Sequence, residues 1–470
     1  MSPKNREGRF GSFFTGGFEC SQHLTPEGVR HDLIGATGHD EQLETDYMLC
    51  KRLGLNAVRE AVRWPLVDKS GKIDRAEVRR LAKLGRETEV TQLWDLMHYG
   101  YPDDLDPFSD RFTERFARYA GKVAEVIRDE AAGPLYFTPI NEISYYAWAG
   151  GEVGYMAPFG LGRGGELKRQ LVRAAIAGAN AIWEVDSEAT MLSVDPLVRQ
   201  VAPAGRPDLA EAADFFNEHI VFEAFDLLAG RLEPELGGSR RHLGVVGLNY
   251  YRCNQWTVPT PEAPQQFLDP GDERWLPLHK QLDALQKRYG GPLFLAETGA
   301  SARDRTAWLN LLTRESKAAL ANGVDLQGVC LYPVVTSPDW EDPTAFFDGG
   351  VFDIEPDESS CLKRVLKLDI ETALRAAQLE LDPENLPTKP FAHPNALAPK
   401  ALSVRKVNPQ RDVPTKPDNF TYRTLTAGES LCLETYTFAP GQGLPFHQHK
   451  ETEHVWTVLA GQGRAEVGAE

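Results

Sequence analysis

Cysteine is scarce in this chain and nowhere clustered: Cys20, Cys50, Cys253, Cys330, Cys361 and Cys432 are scattered over 470 residues. Without close pairs there is neither a zinc-binding spacing nor a disulfide framework, so these read as reduced, mostly buried thiols. No apolar run approaches the ~20 residues that a spanning helix needs. No dense Lys/Arg run relieves a formal net charge of -17. That charge repels phosphate backbones and anionic headgroups, which argues against nucleic acid and membrane partners. The polar, basic start from Met1 to Arg9 has no apolar segment behind it, so the expected location is the cytoplasm. Internal repeats are lacking too, and nothing in the sequence indicates an oligomeric state.

What is present is the balance of a soluble globular protein, 42% hydrophobic and 25% charged. The length fits two or three domains, or one large barrel with an appendage. From Phe13 to about Ala377, short β-type runs alternate with amphipathic helical runs, the pattern of parallel strands with crossover helices. The expected strands are Phe13 to Glu19, Ala57 to Val62, Val90 to Leu96, Leu135 to Ile140, Thr190 to Asp195, Val245 to Tyr251, Leu293 to Glu297 and Gly328 to Pro333. Between them, Phe112, Phe116, Tyr119, Ala120, Val123, Val126 and Ile127 form one apolar stripe at helical spacing, which predicts a helix over Phe112 to Ile127. Eight such units predict a (β/α)8 barrel over 1–378. Prolines at 383, 387, 390, 394, 399, 409, 414 and 417 then predict an extended linker over 379–419. A β-rich segment over 420–470 follows.

Two glutamates close apolar strand-like runs. Glu142 follows Thr138-Pro139-Ile140-Asn141, and Glu297 lies in Leu295-Ala296-Glu297-Thr298-Gly299. In one parallel barrel both carboxylates project from the same rim, where such barrels place their chemistry. Either glutamate alone is equally an ordinary strand-end residue in a salt bridge. As a facing pair they are the minimum equipment for cleaving a glycosidic bond, one ionised at the anomeric carbon and one protonated at the leaving oxygen, about 5–5.5 Å apart in the retaining type. The closeness of two negative charges raises one pKa and keeps its proton on. Arg59 on the second strand is a candidate to keep the nucleophile ionised, or a structural ion-pair partner. Asn141, His98 and Gln22 are able to bind sugar hydroxyls, or simply to pack and cap loops.

These motifs resemble the family 1 glycoside hydrolases over most of Phe13 to Ile354. Thr138 to Ile143 is similar to the family's Thr-Phe-Asn-Glu-Pro, with Gly154-Tyr155-Met156-Ala157-Pro158 at a fitting distance. Ala296-Glu297-Thr298-Gly299 resembles its Thr-Glu-Asn-Gly, and Gly247-Leu248-Asn249-Tyr250-Tyr251 its Gly-Leu-Asn-Tyr-Tyr. His98-Tyr99-Gly100-Tyr101-Pro102 and Arg59 with Trp64-Pro65 are similar to its third- and second-strand loops. The resemblance implies a β-glucosidase-like enzyme acting on a small carbohydrate by retaining double displacement. It makes Glu142 the acid/base and Glu297 the nucleophile, and has Tyr251 hydrogen-bond the nucleophile. Arg59, His98, Asn141 and Gln22 then line the innermost sugar subsite, with Asn249 and Trp340 also on the substrate. No cofactor is implied for the barrel.

Departures cluster around specificity. Ile143 stands for the family's Pro, Thr298 for its Asn and Tyr332-Pro333 for its Trp-Ser. Its sugar-grasping segment is replaced by Ser337-Pro338-Asp339-Trp340, so glucose does not follow. Near the end, Gly441 with His447, His449 and His454 before Val455 to Gly461 resembles the first motif of the cupins. Those three histidines are candidate ligands of a divalent metal, although a second motif is lacking. Two alternatives stand beside hydrolysis: a catalytically silent sugar-binding or regulatory barrel, and sugar-nucleotide isomerisation through the cupin-like part.

Overall fold

The computed structural model describes residues 9–261, 263–301, 303–340, 345–356, 362–389, 391, 421–427 and 432–437. The chain divides into two compact units, Met1–His393 and Pro394–Glu470. In the first, eight parallel strands close a barrel: β1 Phe14–Gly17, β2 Ala57–Ala61, β3 Thr91–Asp95, β4 Tyr136–Thr138, β5 Thr190–Pro196, β6 Val245–Asn249, β7 Leu293–Thr298 and β8 Leu326–Leu331. Each pairs with its neighbours in sequence, and β1 pairs with β8 to complete the ring. The helices that follow the strands in turn are α1 His39–Arg52, α2 Arg75–Thr88, α3 Asp110–Glu130, α4 Gly164–Val185, α5 Glu223–Leu228, α6 Leu278–Tyr289, α7 Arg305–Ala321 and α8 Leu368–Leu381. This is the (β/α)8 fold that the alternation predicts.

Strand parity sorts the side chains. Ala57, Leu93, Tyr136, Leu192, Val194, Val245, Phe294, Ala296 and Cys330 fill the barrel interior, with Phe10 against Tyr136 and Phe294. Their neighbours Val58, Phe137, Val246, Leu293, Leu295 and Val329 face the helices. The predicted stripe of α3 is buried throughout. Gly178 of α4 lies against it, where a Cβ would stand 2.6 Å from the Phe116 ring, so a larger residue there would force the helices apart.

Parity also creates a buried polar network outside the barrel. Glu60 of β2 points away from the interior and accepts from Tyr47 at 2.8 Å, with His39 Nε2 at 3.1 Å, both on α1. His39 Nδ1 meets Asp46 at 2.7 Å, and Arg364 grips both oxygens of Asp46 at 2.8 Å. Burial alone would lower the His39 pKa, but the Glu60 and Asp46 carboxylates lift it to about 9. Arg364 lies in a hairpin, Phe352–Pro356 with Leu362–Leu366, that precedes α8 and was not expected from the sequence.

The predicted end of the barrel at 378 falls inside α8, which continues because Gln378 is buried and its Nε2 donates to the Leu53 carbonyl at 2.6 Å. Beyond it Asp382 accepts from the Phe13 amide at 2.8 Å, and Phe391 packs on Phe352 with Arg52 over its ring. Pro383 and Pro387 thus end a docked helix. In the second unit, Thr421–Ala427 pairs antiparallel with Cys432–Thr437. His447, His449 and His454, with the rest of the cupin-like motif, lie outside the described residues.

Replacing Arg364 with Met should destabilise the protein by about 3–5 kcal/mol, because it removes the guanidinium that grips both oxygens of the buried Asp46 carboxylate. A shift of the urea midpoint worth less than ~1 kcal/mol would show that His39 alone satisfies Asp46.

Candidate active site

The residues of interest gather at the carboxyl ends of the strands. Arg59, two positions along β2 from the inward Ala57, is fully buried in the mouth of the barrel. Its Nη1 donates to Glu297 Oε1 at 2.6 Å and to the Ala296 carbonyl at 3.2 Å. Its Nη2 donates to Asp95 Oδ2 at 2.6 Å and Asn141 Oδ1 at 3.1 Å. One guanidinium thereby joins β2, β3, β7 and the loop after β4.

Glu297 reaches this position through a break in strand regularity. Phe294 and Ala296 face inward, so strict alternation would turn Glu297 outward and Thr298 in. The pairing of β7 shifts register after Leu295 against both β6 and β8. Such irregularities re-aim side chains. Glu297 consequently meets Arg59, and Tyr251 donates to its Oε2 at 2.9 Å. Thr298 turns outward instead, donating to the Tyr250 carbonyl at 2.6 Å and accepting from Trp308 Nε1 at 2.9 Å.

Glu142 sits four residues beyond β4 in the left-handed backbone region, φ 48°, as does Tyr99, φ 64°. Non-glycine residues pay about 1–3 kcal/mol each for such conformations. Here the two are linked, since the Tyr99 hydroxyl donates to Glu142 Oε2, and Asn249 Nδ2 donates to Oε1 at 2.8 Å. Burial and then the negative charge of Glu297 push the Glu142 pKa up to about 8, against the lowering effect of those two hydrogen bonds. Glu297 has a cation beside it, whereas Glu142 has only neutral donors and a raised pKa.

Around them, His98 Nδ1 faces Asp95 Oδ2 at 2.9 Å and its Nε2 faces Asn141 Nδ2 at 3.1 Å. Burial works to lower the His98 pKa, but Asp95, with Glu297 and Glu19 further off, raises it. The hydrogen-bond geometry opposes that shift: Arg59 fixes the Asn141 oxygen toward itself, so the Asn141 amide donates to Nε2. That assigns a neutral imidazole with its proton on Nδ1. Cys20, Asp95 and His98 bring three potential ligand atoms within 4.8 Å of one another. Arg59 already supplies the positive charge at Asp95, and burial raises the Cys20 thiol pKa well above its usual range.

Of the residues anticipated from the sequence, Arg59, Glu297, Tyr251, Asn141 and His98 form one hydrogen-bonded set, and Glu142 with Asn249 a second. Trp340 joins its edge, with ring centroids 5.6 Å from Tyr99 and 4.9 Å from His23. Gln22 does not join it. Its backbone amide donates to the His98 carbonyl at 3.0 Å, but its buried Nε2 has no hydrogen-bond partner.

Sequence reasoning missed Tyr99, Asp95 and Glu19. Asp95 carries a signal, three residues before His98 at the end of a strand. Glu19 lies 4.0 Å from His98 Nε2 and accepts from the Ser21 amide at 3.0 Å and the Tyr332 hydroxyl at 3.3 Å. Burial raises its pKa to about 7.

The fold and site together define a (β/α)8 barrel with two buried, electrostatically interacting carboxylates, Glu142 and Glu297, at its carboxyl-terminal mouth. Among solved structures the chain is similar to the family 1 β-glucosidase from Thermotoga maritima, at 17% identity and a TM-score of 0.64, covering 80% of this chain and 99% of that one. The Thermotoga maritima β-glucosidase in complex with glucoimidazole is similar at 16% identity and a TM-score of 0.65, with 79% and 98% covered. The same enzyme in complex with castanospermine is similar at 18% identity and a TM-score of 0.62. At this identity the likeness shows a shared fold. No protein-family model matches the chain, and no curated protein matches it.

Removing the charge of Glu297 should lower the Glu142 pKa from about 8, because the like charge that helps raise it is gone. Carboxyl 13C NMR titration of Glu297→Gln against wild type measures the shift directly, with no need of turnover. An unchanged midpoint would mean that the two side chains do not share a cleft.

Proposed function

We propose that the barrel hydrolyses a β-linked glycoside with retention of configuration. The observation that carries this reading is the asymmetric carboxylate pair, with Glu297 held by Arg59 and Tyr251 while Glu142 keeps its proton. In this reading Glu297 attacks the anomeric carbon as Glu142 protonates the leaving oxygen. Glu142, now ionised, then takes a proton from the water that releases the sugar. Arg59 and Tyr251 orient the nucleophile, and Asn249 and Tyr99 orient the acid. His98, Asn141 and Trp340 line the sugar site. The structural neighbours, β-glucosidases in name, are consistent with this chemistry.

Two carboxylates supply nucleophile, acid and base without a metal, so chelators should leave hydrolysis unchanged. The cupin-like segment, with His447, His449 and His454, is proposed as a separate divalent-metal site.

Glu142→Gln and Glu297→Gln should each abolish most turnover of aryl β-glycosides, far beyond the tenfold loss that about 1.4 kcal/mol of barrier represents. A panel of aryl glycosides identifies the sugar at the same time. Wild-type activity should fall as pH rises through about 8, where Glu142 loses the proton it must donate. Proton NMR of the first-formed product should show the β-anomer. An α-product would place a water between the carboxylates and indicate inversion.

A further inference from the structure

One buried carboxylate at the mouth has no part in the double displacement. Glu19 follows β1 and belongs to none of the motifs that carry the resemblance to the family 1 glycoside hydrolases. Its Oε1 accepts from the Ser21 amide at 3.0 Å and the Tyr332 hydroxyl at 3.3 Å, and that hydroxyl accepts from the Cys20 amide at 2.8 Å. The side chain is thus held by its own loop and by the residue after β8. Glu19 is only 8% exposed, yet among the described residues no Arg or Lys nitrogen lies within 4.0 Å of its carboxylate. Arg59 is already shared between Glu297 and Asp95. His98 Nε2 stands 4.0 Å away, but it accepts from the Asn141 amide and so brings no charge. Two more side chains of the region are buried with an unmet polar atom, the acceptor Asn249 Oδ1 and the donor Gln22 Nε2. Partners for sugar hydroxyls are therefore present in both senses, and what Glu19 lacks is a positive charge.

We propose that Glu19 selects the sugar the enzyme retains, and that this sugar carries a protonated amine in place of one hydroxyl. The inference deepens the glycosidase reading and rests on it for which part of the substrate faces Glu19. A general acid must reach the oxygen it protonates, so the leaving group lies on the side of Glu142, whose partners are Tyr99 and Asn249. Glu19 instead touches Tyr332 and stands beside His98. A buried carboxylate without a cation is costly. Burial accordingly pushes the Glu19 pKa up to about 7, with His98 lowering it and the charge of Glu297 adding to the rise. An ammonium offsets that cost with a full charge and up to three donors, and its bond to an ionised carboxylate is about twice as strong as one between neutral groups. A hydroxyl offsets it only in part. A sugar acid or sugar phosphate would meet like charge from Glu19, Asp95 and Glu297.

Thioglycosides, which resist hydrolysis, separate binding from turnover. Titration calorimetry on the full chain should compare the methyl thio-β-glycosides of glucose, galactose and mannose with counterparts in which one hydroxyl at a time is replaced by an amine. The N-acetyl forms of those amines keep the nitrogen without the charge. At one position the amine should bind roughly tenfold tighter than the hydroxyl, the worth of one charge-assisted hydrogen bond. N-acetylation should remove that gain. Glu19→Gln should erase the preference, and Glu19→Asp, which keeps the charge on a shorter arm, should retain part of it. Gln still offers an acceptor to the Ser21 amide and the Tyr332 hydroxyl, so the loop is not disturbed, and thermal melts verify this. The inference is overturned if no amine binds tighter than its hydroxyl counterpart, if the N-acetyl form keeps the gain, or if Glu19→Gln leaves the preference intact. It is equally overturned if the thioglycoside of a sugar acid or sugar phosphate binds tighter than the amine. Glu19-dependent amine binding in a protein that hydrolyses no glycoside sustains the amine site and rejects hydrolysis. Hydrolysis of neutral glycosides without an amine preference does the reverse.

Discussion

A single buried guanidinium organises the mouth of this barrel. Arg59 has no exposure to solvent, and taking its charge out of water costs several kcal/mol that only close, ionised partners can offset. Glu297 and Asp95, each at 2.6 Å, are those partners. Two carboxylates so close to one another would in turn be unstable without the cation. The planar fork also matters, because it reaches β3 and β7 while leaving one donor for Asn141. Asn141 is thereby oriented, and through it the tautomer of His98. A point charge such as Lys would hold the carboxylates but not the amide.

The contrast between Glu142 and Glu297 follows from this arrangement. Both are carboxylates at a strand end, and chemically they start out alike. One receives a cation and the other receives a tyrosine hydroxyl and an amide. Environment alone distinguishes them: burial and the neighbouring Glu297 raise the Glu142 pKa, while Glu297 lies against a guanidinium. The left-handed backbone at Tyr99 and Glu142 is tolerated because the surrounding barrel over-determines it.

Strand parity assigns neighbouring charges to different tasks. On β2, Arg59 points into the barrel mouth and Glu60 points outward to His39 and Tyr47. The outward network fastens α1 and the Arg364 hairpin to the barrel wall, and the inward one arranges the carboxylate pair. The connections between strands and helices remain free to vary, and there the aromatic residues beyond Tyr99 are found.

Much of this was legible in the order of residues. Alternation of β-type and helical runs is a local property set by burial on one or two faces, and it marked all eight strands and the α3 stripe. Motifs at strand ends located Glu142, Glu297, Arg59 and their partners, because a parallel barrel brings every such end to one rim. The expected end at 378 lies within α8, since prolines signal a break in hydrogen bonding but not whether the chain beyond it docks, as Phe391 does. Glu19 was overlooked, because which side chain after β1 joins the cluster depends on how that loop packs against His98 and Tyr332. The register shift of β7 was also invisible, since alternation alone would aim Glu297 outward. Sequence by itself determined which residues are near the mouth. Only tertiary structure decided which of them point into it and which carboxyl keeps its proton, because both depend on contacts between strands far apart in the chain.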